Sequence, residues 1–530
     1  MGIMYAADYG VVCDGATETS GTLQQAITLA ANNKVALQLP GGTCIIRTGM
    51  SVPTKSHMIG APNGELYWDT PQAGTHVVLD VAEQSTETLI EGVRIRSTNT
   101  TATVNATYSS NYPIRLNRVS GSVIRNCHVQ DFWGAAGILL GPGATAANHS
   151  DSNVIEHNSL VRGSAYGIVI TSGYSNRILG NHLEDTDLGL NNGGAGFTLQ
   201  NTFAGNIVYG VLRTNLFLNV NGLATDFYNS FTGNLLINAR VTAAANFVLG
   251  TLANNVIKGS ATAVVAQAPI SLVGANAAVL TGNVVDAAAY TAAFSTGFGA
   301  ITCATCVQTT LANNLVLNAT AANGIGLSNA SLVLLKDNTI AYNGANGIEL
   351  SGTNADVTIE GNAIYDNNAA NNAAYFGINL NGAGAAVAVR TKVQSNRVYS
   401  PAGTKQGIPL NFATDDNSTI VGNILYPRQN AAAWAVTAQT NASFSLNRVG
   451  SDALCGNMTW TAAATAVVTN NNAKNTHITL IPTNASAALM VSGATSPYVS
   501  AVTAWTSFTL ATQSAGAAAG TETFAYCLTD

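Results

Sequence analysis

Acids are scarce in this chain, so each one that stands beside another draws notice. Of 530 residues only 27 are Asp or Glu. One group, His182, Glu184, Asp185 and Asp187, lies in NHLEDTDLG. Period-two alternation puts His182 and Glu184 on one face of a strand, with Asp185 and Asp187 in the following turn. Acids set so close together repel, which lifts one pKa toward that of a proton donor. Asp131 and Trp133, then His157 and Arg162, come from the preceding stretches and are expected at the same edge. Acids, an aromatic platform and a cation in one place suit sugar binding. A second group centres on Glu349 in GIEL, with Asp356, Asn379, Asp415 and Asp416 after it. Paired carboxylates suit glycoside hydrolysis, at about 5 Å for retention or about 6.5–9.5 Å for inversion. A lyase would instead need Lys, His, Arg or Tyr as base beside a uronate, and His157, His182 and Arg162 are the candidates.

These groups sit inside a repeat. VTIEGNAIYDNN, from Val357, has an apolar strand, an Asn and a second apolar strand. The phrase returns around Asn158, Asn181, Asn206, Asn234, Asn255, Asn283, Asn314, Asn338, Asn396, Asn423 and Asn447. The interval is roughly 21 to 34 residues, the range of a solenoid. TLIEGVRIRS reads as an early coil with Gly92 in the Asn place. A third strand carries a Gly-Ile phrase at Gly137, Gly167, Gly324, Gly347, Gly377 and Gly407. Short Val/Ile/Leu/Thr strands without a 3.6 period disfavour helical repeats. Three strands per coil predict a parallel β-helix of about 13 coils, on the order of 60 Å long. The recurring Asn fits an internal ladder in which each amide bonds its equivalents one coil away.

In the Gly-Ile phrase the middle residue points outward. Glu349 is therefore expected to be exposed, with Gly326 one coil earlier and Asn379 one coil later. Asp415 and Asp416 are expected about two coils on, roughly 10 Å along the axis. An acid and base supplied by different chains of a trimer is a further possibility. Residues 98–111, 141–152 and 286–299 are too long for turns and read as loops leaving the coils, where function concentrates.

The two ends differ from the repeat. Between Ala6 and Gly60 lies one convincing helix, capped by Thr19 or Ser20, with Leu23, Ala26, Ile27, Ala30 and Ala31 on one face. It would cover the open end of the solenoid, whose strand edges and core side chains would otherwise be exposed. The expected domains are a cap over 1–60, a β-helix over 61–453 and a C-terminal β module over 454–530. Charged residues make up only 9% of the chain and the net charge is −6, which argues against a nucleic-acid partner. No apolar run is long enough to span a membrane. The first residues have neither the basic start nor the apolar core of a secretory signal. Of seven Cys, Cys13 with Cys44 and Cys455 with Cys527 could pair if the fold brings them together. Cys303 and Cys306 lack the second pair of ligands that a metal site needs and read as small buried hydrophobes. No metal or cofactor is expected.

Asp8-Tyr9-Gly10, Asp14-Gly15, Thr17, Thr19, Gln24 to Ile27, Leu39-Pro40 and Gly42-Thr43 resemble the opening of pectate-lyase-like right-handed parallel β-helix proteins, phage tailspikes above all. Cys13 stands where a Gly is usual there. Val467 to Asn470, Ile478 to Ala488, Tyr498 to Thr509 and Gly520 to Tyr526 resemble a C-terminal module of trimeric phage tail fibres, with Trp505 in the place of a Gly. The polygalacturonase and classical pectate-lyase signatures are absent. The resemblance implies a homotrimeric, tailspike-type protein on a phage tail. It would bind and depolymerise a bacterial surface polysaccharide, a hydrolase before a lyase, and could dock through a tail adaptor or baseplate protein. The alternatives are a non-catalytic tail fibre or adhesin of the same fold, or a free bacterial polysaccharide lyase or hydrolase.

Overall fold

A computed structural model describes residues 2–69, 76–98, 111–132, 134–142, 148–163, 165–191, 197–212, 216–220, 227–243, 247–259, 268–288, 290, 299–320, 322–368, 375–380, 387–399, 408–426, 434–440, 443–445, 447–449, 455–460, 465–469, 477–484, 486–487, 497–503, 507–512 and 522–529. The chain divides into two units, Met1–Leu334 and Leu335–Asp530.

Unit 1 is a right-handed parallel β-helix whose coils each contribute to three sheets. Sheet A includes Val123–Arg125, Val154–Glu156, Arg177–Leu179 and Thr202–Ala204. Sheet B includes His128–Gln130, Ser159–Val161, His182–Glu184 and Ile207–Tyr209. Sheet C includes Ala136–Gly141, Tyr166–Ile170, Asp187–Leu190 and Leu216–Asn219. Three-residue strands in A and B bury the central residue and leave its neighbours outside, the period-two signature read from sequence. In sheet A, Ile124, Ile155, Ile178, Phe203, Phe231, Leu252, Leu280 and Leu311 stack in one column, all fully buried. Phe203 and Phe231 stack at 4.7 Å between ring centroids.

The corner between A and B holds the expected ladder. Asn158, Asn181, Asn206, Asn234, Asn255, Asn283 and Asn314 are linked amide to amide at 2.9–3.0 Å. A second ladder, five residues earlier on each coil, joins Asn153, Asn176, Asn201 and Asn229. The residue before each A–B ladder position is left-handed: Asn126, His157, Gly180, Gly205, Gly233, Asn254, Gly282 and Asn313. Gly92, with φ 67°, belongs to this column. It does not occupy the ladder place; Val93 does, followed by Cys127, whose amide donates to Asn158 Oδ1. Cys127 is buried and free, and burial pushes its thiol up to about 12.

The helix Ser20–Asn32 buries Leu23, Ala26, Ile27 and Ala30 against Ala36–Gln38 and Met50–Val52. Thr19 is its N-cap by position but makes no side-chain cap; the Ser20 amide donates to Glu18 Oε1 instead. The Ser20 hydroxyl accepts from the Arg47 and Thr48 amides and ties the helix to the coil. A disulfide joins Cys13 to Cys44 across a sequence separation of 31. Replacing both by Ser is expected to lower stability by about 3–4 kcal/mol, read from urea midpoints, because the loop is no longer closed in the unfolded chain. A midpoint equal to the parent's would exclude that role. Cys303 and Cys306 are also disulfide-bonded, which corrects the expectation of two free buried thiols. Cys455 and Cys527 face each other across an antiparallel pairing.

Glu65 accepts from the Thr43 hydroxyl and twice from the Arg96 guanidinium at 2.9–3.1 Å. Arg96 holds its pKa below the usual 4.5. Glu65 thus binds fewer protons folded than unfolded, and its contribution is present above that value and lost as pH falls through the lower folded one. Glu65→Gln should flatten the acid limb of a stability–pH curve below 4.5. An unchanged limb would show the pair to be energetically silent.

Unit 2 has β-helix coils with their own ladder, Asn338, Asn362, Asn396, Asn423 and Asn447. Its last strands leave the parallel pattern. Cys455–Thr459, Thr523–Thr529 and His477–Pro482 form one antiparallel sheet, and Thr465–Thr469, Ser507–Thr512 and Pro497–Thr503 form another. Trp460, Phe508, Leu510 and Phe524 make a core in this module. Among the described residues no helix is long and apolar enough to cross a membrane.

Candidate functional site

The fold distributes the first sequence group over three surfaces. His182 and Glu184 share the outer face of sheet B, 4.0 Å apart. Asp185 sits at the B–C corner in a left-handed conformation, fully buried, and accepts the Val211 and Leu212 amides at 2.8 Å. Asp187 is not in the turn. It opens a sheet C strand and is buried. The mutual repulsion expected of three neighbouring acids therefore loses its basis, because they point in different directions.

Arg162 occupies the Asp185 corner one coil earlier, and Asp131 two coils earlier; all three have φ 53°. The Arg162 guanidinium donates to both carboxylate oxygens of Asp131, at 2.6 and 3.1 Å. The bond to Asp131, with the charges of Asp131, Glu184 and Asp185, raises the Arg162 pKa. This cation is thus committed to acids of its own chain. His157 lies at the opposite corner of sheet B from Arg162, so the expected shared edge is not formed. Trp133 lies outside the described residues.

Sheet C differs from A and B because several of its strands, Ala136–Gly141, Asp187–Leu190 and Ile348–Ser351 among them, are buried on both faces. Ala136–Gly141 is buried at every position. Its outer face begins apolar, with Ala136, Leu139 and Val169 packed against Tyr112 and Tyr166. It then turns polar. Tyr166 pairs in register with Asp187. The Leu188–Leu218 and Phe217–Arg240 pairings put Asp187 and Arg240 in one column two coils apart. Asn219 donates to the Tyr166 hydroxyl at 2.9 Å, and burial lifts that phenol to about 12. Gly189 sits in the outer column at φ 143°, and a Cβ there would lie 2.1 Å from the Asn219 carbonyl oxygen. Arg240 is only 9% exposed, and its Nε has no hydrogen-bond partner. Burial lowers its pKa, against the pull of Asp187 and Tyr290. Sequence reasoning missed Tyr166, Asn219 and Arg240. The available signal was a lone Arg in the apolar strand Ala239–Ala243.

In unit 2 the outer side of its own sheet C strands carries Glu349, Asn379 and Asn411, paired in register on successive coils. Asn411 donates to Asn379 Oδ1 at 2.8 Å. Glu349 is on the outward side, as the Gly-Ile phrase predicts, but it is 6% exposed and not open to solvent. Asn346 donates to Glu349 Oε2. The other end of the Asn346 amide accepts from the Phe376 amide at 2.5 Å, which fixes its orientation. Asp415 and Asp416 pair with Ala388 and Val389, in the register of Asn354 and Ala355. They lie on the second coil after Glu349, but four positions along the strand from its column, about 13 Å away at 3.3 Å per residue. The expected Glu–Asp pair on one patch is therefore not made by the backbone. Asp356 forms a two-point ion pair with Arg390, both contacts 2.7 Å. Among the described residues no three His, Cys, Asp or Glu side chains come together to hold a metal.

Coils of three parallel strands, an internal Asn ladder and a helical cap define a right-handed parallel β-helix protein. The chain belongs to the family described as the right handed beta helix region, whose model matches residues 84–212 and 299–473. The comparison with curated proteins returns no match. Among solved structures the chain is similar to a mutant tailspike protein of E. coli bacteriophage HK620 in complex with a pentasaccharide. The identity is 11%, the coverage is 99% of this chain and 94% of that one, and the TM-score is 0.55. It is also similar to the A-module of mannuronan C-5 epimerase AlgE6 from Azotobacter vinelandii, at 14% identity, 84% and 98% coverage and TM-score 0.31. Tailspike protein 3 of bacteriophage CBA120 matches at 12% identity and TM-score 0.35, over 84% of this chain and 61% of that one. At 11% identity the likeness to the HK620 tailspike shows the fold.

Proposed function

We propose that this protein is a tailspike-type receptor-binding protein that binds a bacterial surface polysaccharide and cleaves it. The observation that carries the reading is the outer face of sheet C. There Glu349, Asn379 and Asn411 hold carboxylate and amide groups at one-coil intervals, about 4.8 Å apart, each keeping only a 6–7% exposed edge for a ligand to reach. A glycan lying along such a strip meets repeated hydrogen-bonding groups, and a homotrimer multiplies weak contacts into avidity. The tailspike likeness supports the same reading through the shared fold.

In this account Glu349 is the acid–base residue of a glycoside hydrolase, and the Asn346 amide positions it. The second carboxylate comes from a neighbouring chain of the trimer, because Asp415 and Asp416 stand off the Glu349 column. The C-terminal antiparallel module joins the three chains, and the particle holds the protein through a tail adaptor or baseplate protein. Light scattering should give a mass three times the 54.3 kDa of the chain, and a purified capsular polysaccharide should lose viscosity on incubation. A monomer that leaves every candidate-host polysaccharide intact would overturn the proposal. The offset of Asp415 favours one second reading, a tail fibre of the same fold that binds glycan without cutting it.

A further inference from the structure

The corner between sheets C and A in unit 1 holds a cleft that the acidic groups discussed above do not touch. Its volume is about 350 Å³, and it is lined by Gln84, Arg118, Ser120, Asn148, His149 and Asp151. This is within the size range of small-ligand sites, although the lining is polar rather than apolar.

The walls are held firmly. Thr86, Ser120 and Asp151 stack on successive coils through parallel bridges. The Asp151 amide donates to the Val119 carbonyl at 2.9 Å, and Gly121 donates to the Asp151 carbonyl at 3.0 Å. The Ser172 hydroxyl fixes the Asn148 carbonyl, and the Ser150 hydroxyl bonds the Leu116 and Gly141 carbonyls. The second Asn ladder starts directly after, with Ser122 donating to Asn153 Oδ1.

Three groups in the cleft have unused capacity. His149 Nδ1 is buried and has no hydrogen-bond partner. The Arg118 guanidinium makes no ion pair among the described residues, unlike Arg96, Arg115 and Arg162. Asp151 Oδ1 accepts the Tyr174 amide at 3.2 Å. Burial raises the Asp151 pKa, against the bonds from Tyr174 and the charge of His149. The His149 ring lies 4.8 Å from Tyr174 and 6.0 Å from Phe197, both substantially exposed.

We propose that this cleft is a glycan subsite that takes one pyranose ring, with its hydroxyls on Arg118, His149 and Asp151 and its apolar face toward Tyr174. An imidazole nitrogen without a partner, a guanidinium that makes no ion pair among the described residues and a carboxyl match the mixed donors and acceptors of adjacent sugar hydroxyls. Aromatic rings beside such a group suit the C–H face of a sugar. A simple anion fits less well, because Asp151 would face it. The inference rests on the carbohydrate reading of the protein and adds a binding place away from Glu349.

Saturation-transfer NMR on the full chain tests it, with a mixture of the methyl glycosides of glucose, galactose, mannose and N-acetylglucosamine as probe. Transfer to at least one glycoside is expected. His149→Phe, which keeps a ring beside Tyr174, should abolish it, and Arg118→Gln should weaken binding about tenfold. Melting curves equal to the parent's would show that both variants fold. Transfer unchanged in both variants would overturn the subsite while leaving glycan binding elsewhere intact. No transfer to any glycoside would overturn the single-ring subsite, whatever the separate polysaccharide assay shows. Displacement of the glycosides by inorganic phosphate would overturn it in favour of an anion site.

Discussion

Asn181→Ala should destabilise the protein by about 2–6 kcal/mol, because at least two buried polar groups lose their partner at about 1–3 kcal/mol each. Asn181 Oδ1 accepts from both the backbone amide and the side chain of Asn158, at 2.9 and 3.0 Å. Its Nδ2 donates to the Ile155 carbonyl and to Asn206 Oδ1. Alanine leaves the Asn158 amide and the Ile155 carbonyl in a fully buried corner that water does not reach. The loss falls on two coil-to-coil interfaces at once, and in a solenoid such interfaces carry the stability. Asn254→Gly is the control. Asn254 is exposed in the left-handed column before the ladder, where Gly already stands on several coils. That change should leave stability near the parent's. Denaturant midpoints, or unfolding rates where refolding fails, separate the two. Equal effects would show that the ladder amides do not hold the coils together.

Glu349→Gln should lower glycan cleavage about 10²–10⁴-fold, the usual contribution of a positioned acid or base. Binding should survive, because Gln keeps the shape and can still bond Asn346. Glu184→Gln should leave the rate unchanged. Glu184 lies on the outer face of sheet B beside His182, on the coil after the Asp131–Arg162 pair. Initial rates of reducing-end release measure both variants. Full activity in the Glu349 variant would move the acid–base assignment to the Asp187 column.

The repeat was legible because its physics is local. A strand that must bury its centre and turn at an Asn writes that pattern on every coil, so the fold, the A–B ladder and the cap helix could be read directly. The second ladder was equally written, in pairs such as Asn153/Asn158 and Asn176/Asn181, but the eye settles on one Asn per coil. The site was less legible. Alternation placed Glu349 on the outer side of its strand but said nothing of what covers that side. Asp187 was misplaced because the B–C corner at Asp185 takes one left-handed residue, after which the next strand begins almost at once. Asp415 looked close to Glu349 because counting coils ignores displacement along the strand. The Arg118–His149–Asp151 cleft comes from two neighbouring coils with no shared phrase, and only register brings Arg118 beside the other two.

The most direct test of the central claim is mass spectrometry of capsular polysaccharide or lipopolysaccharide from candidate hosts after incubation with the full chain. The account predicts oligosaccharides with new reducing ends and no loss of water, the products of hydrolysis. Unsaturated products lighter by one water would replace the hydrolase with a lyase and turn attention from Glu349 to His and Arg bases. Tight binding to a polysaccharide that stays whole would contradict the cleavage claim and leave a receptor-binding fibre.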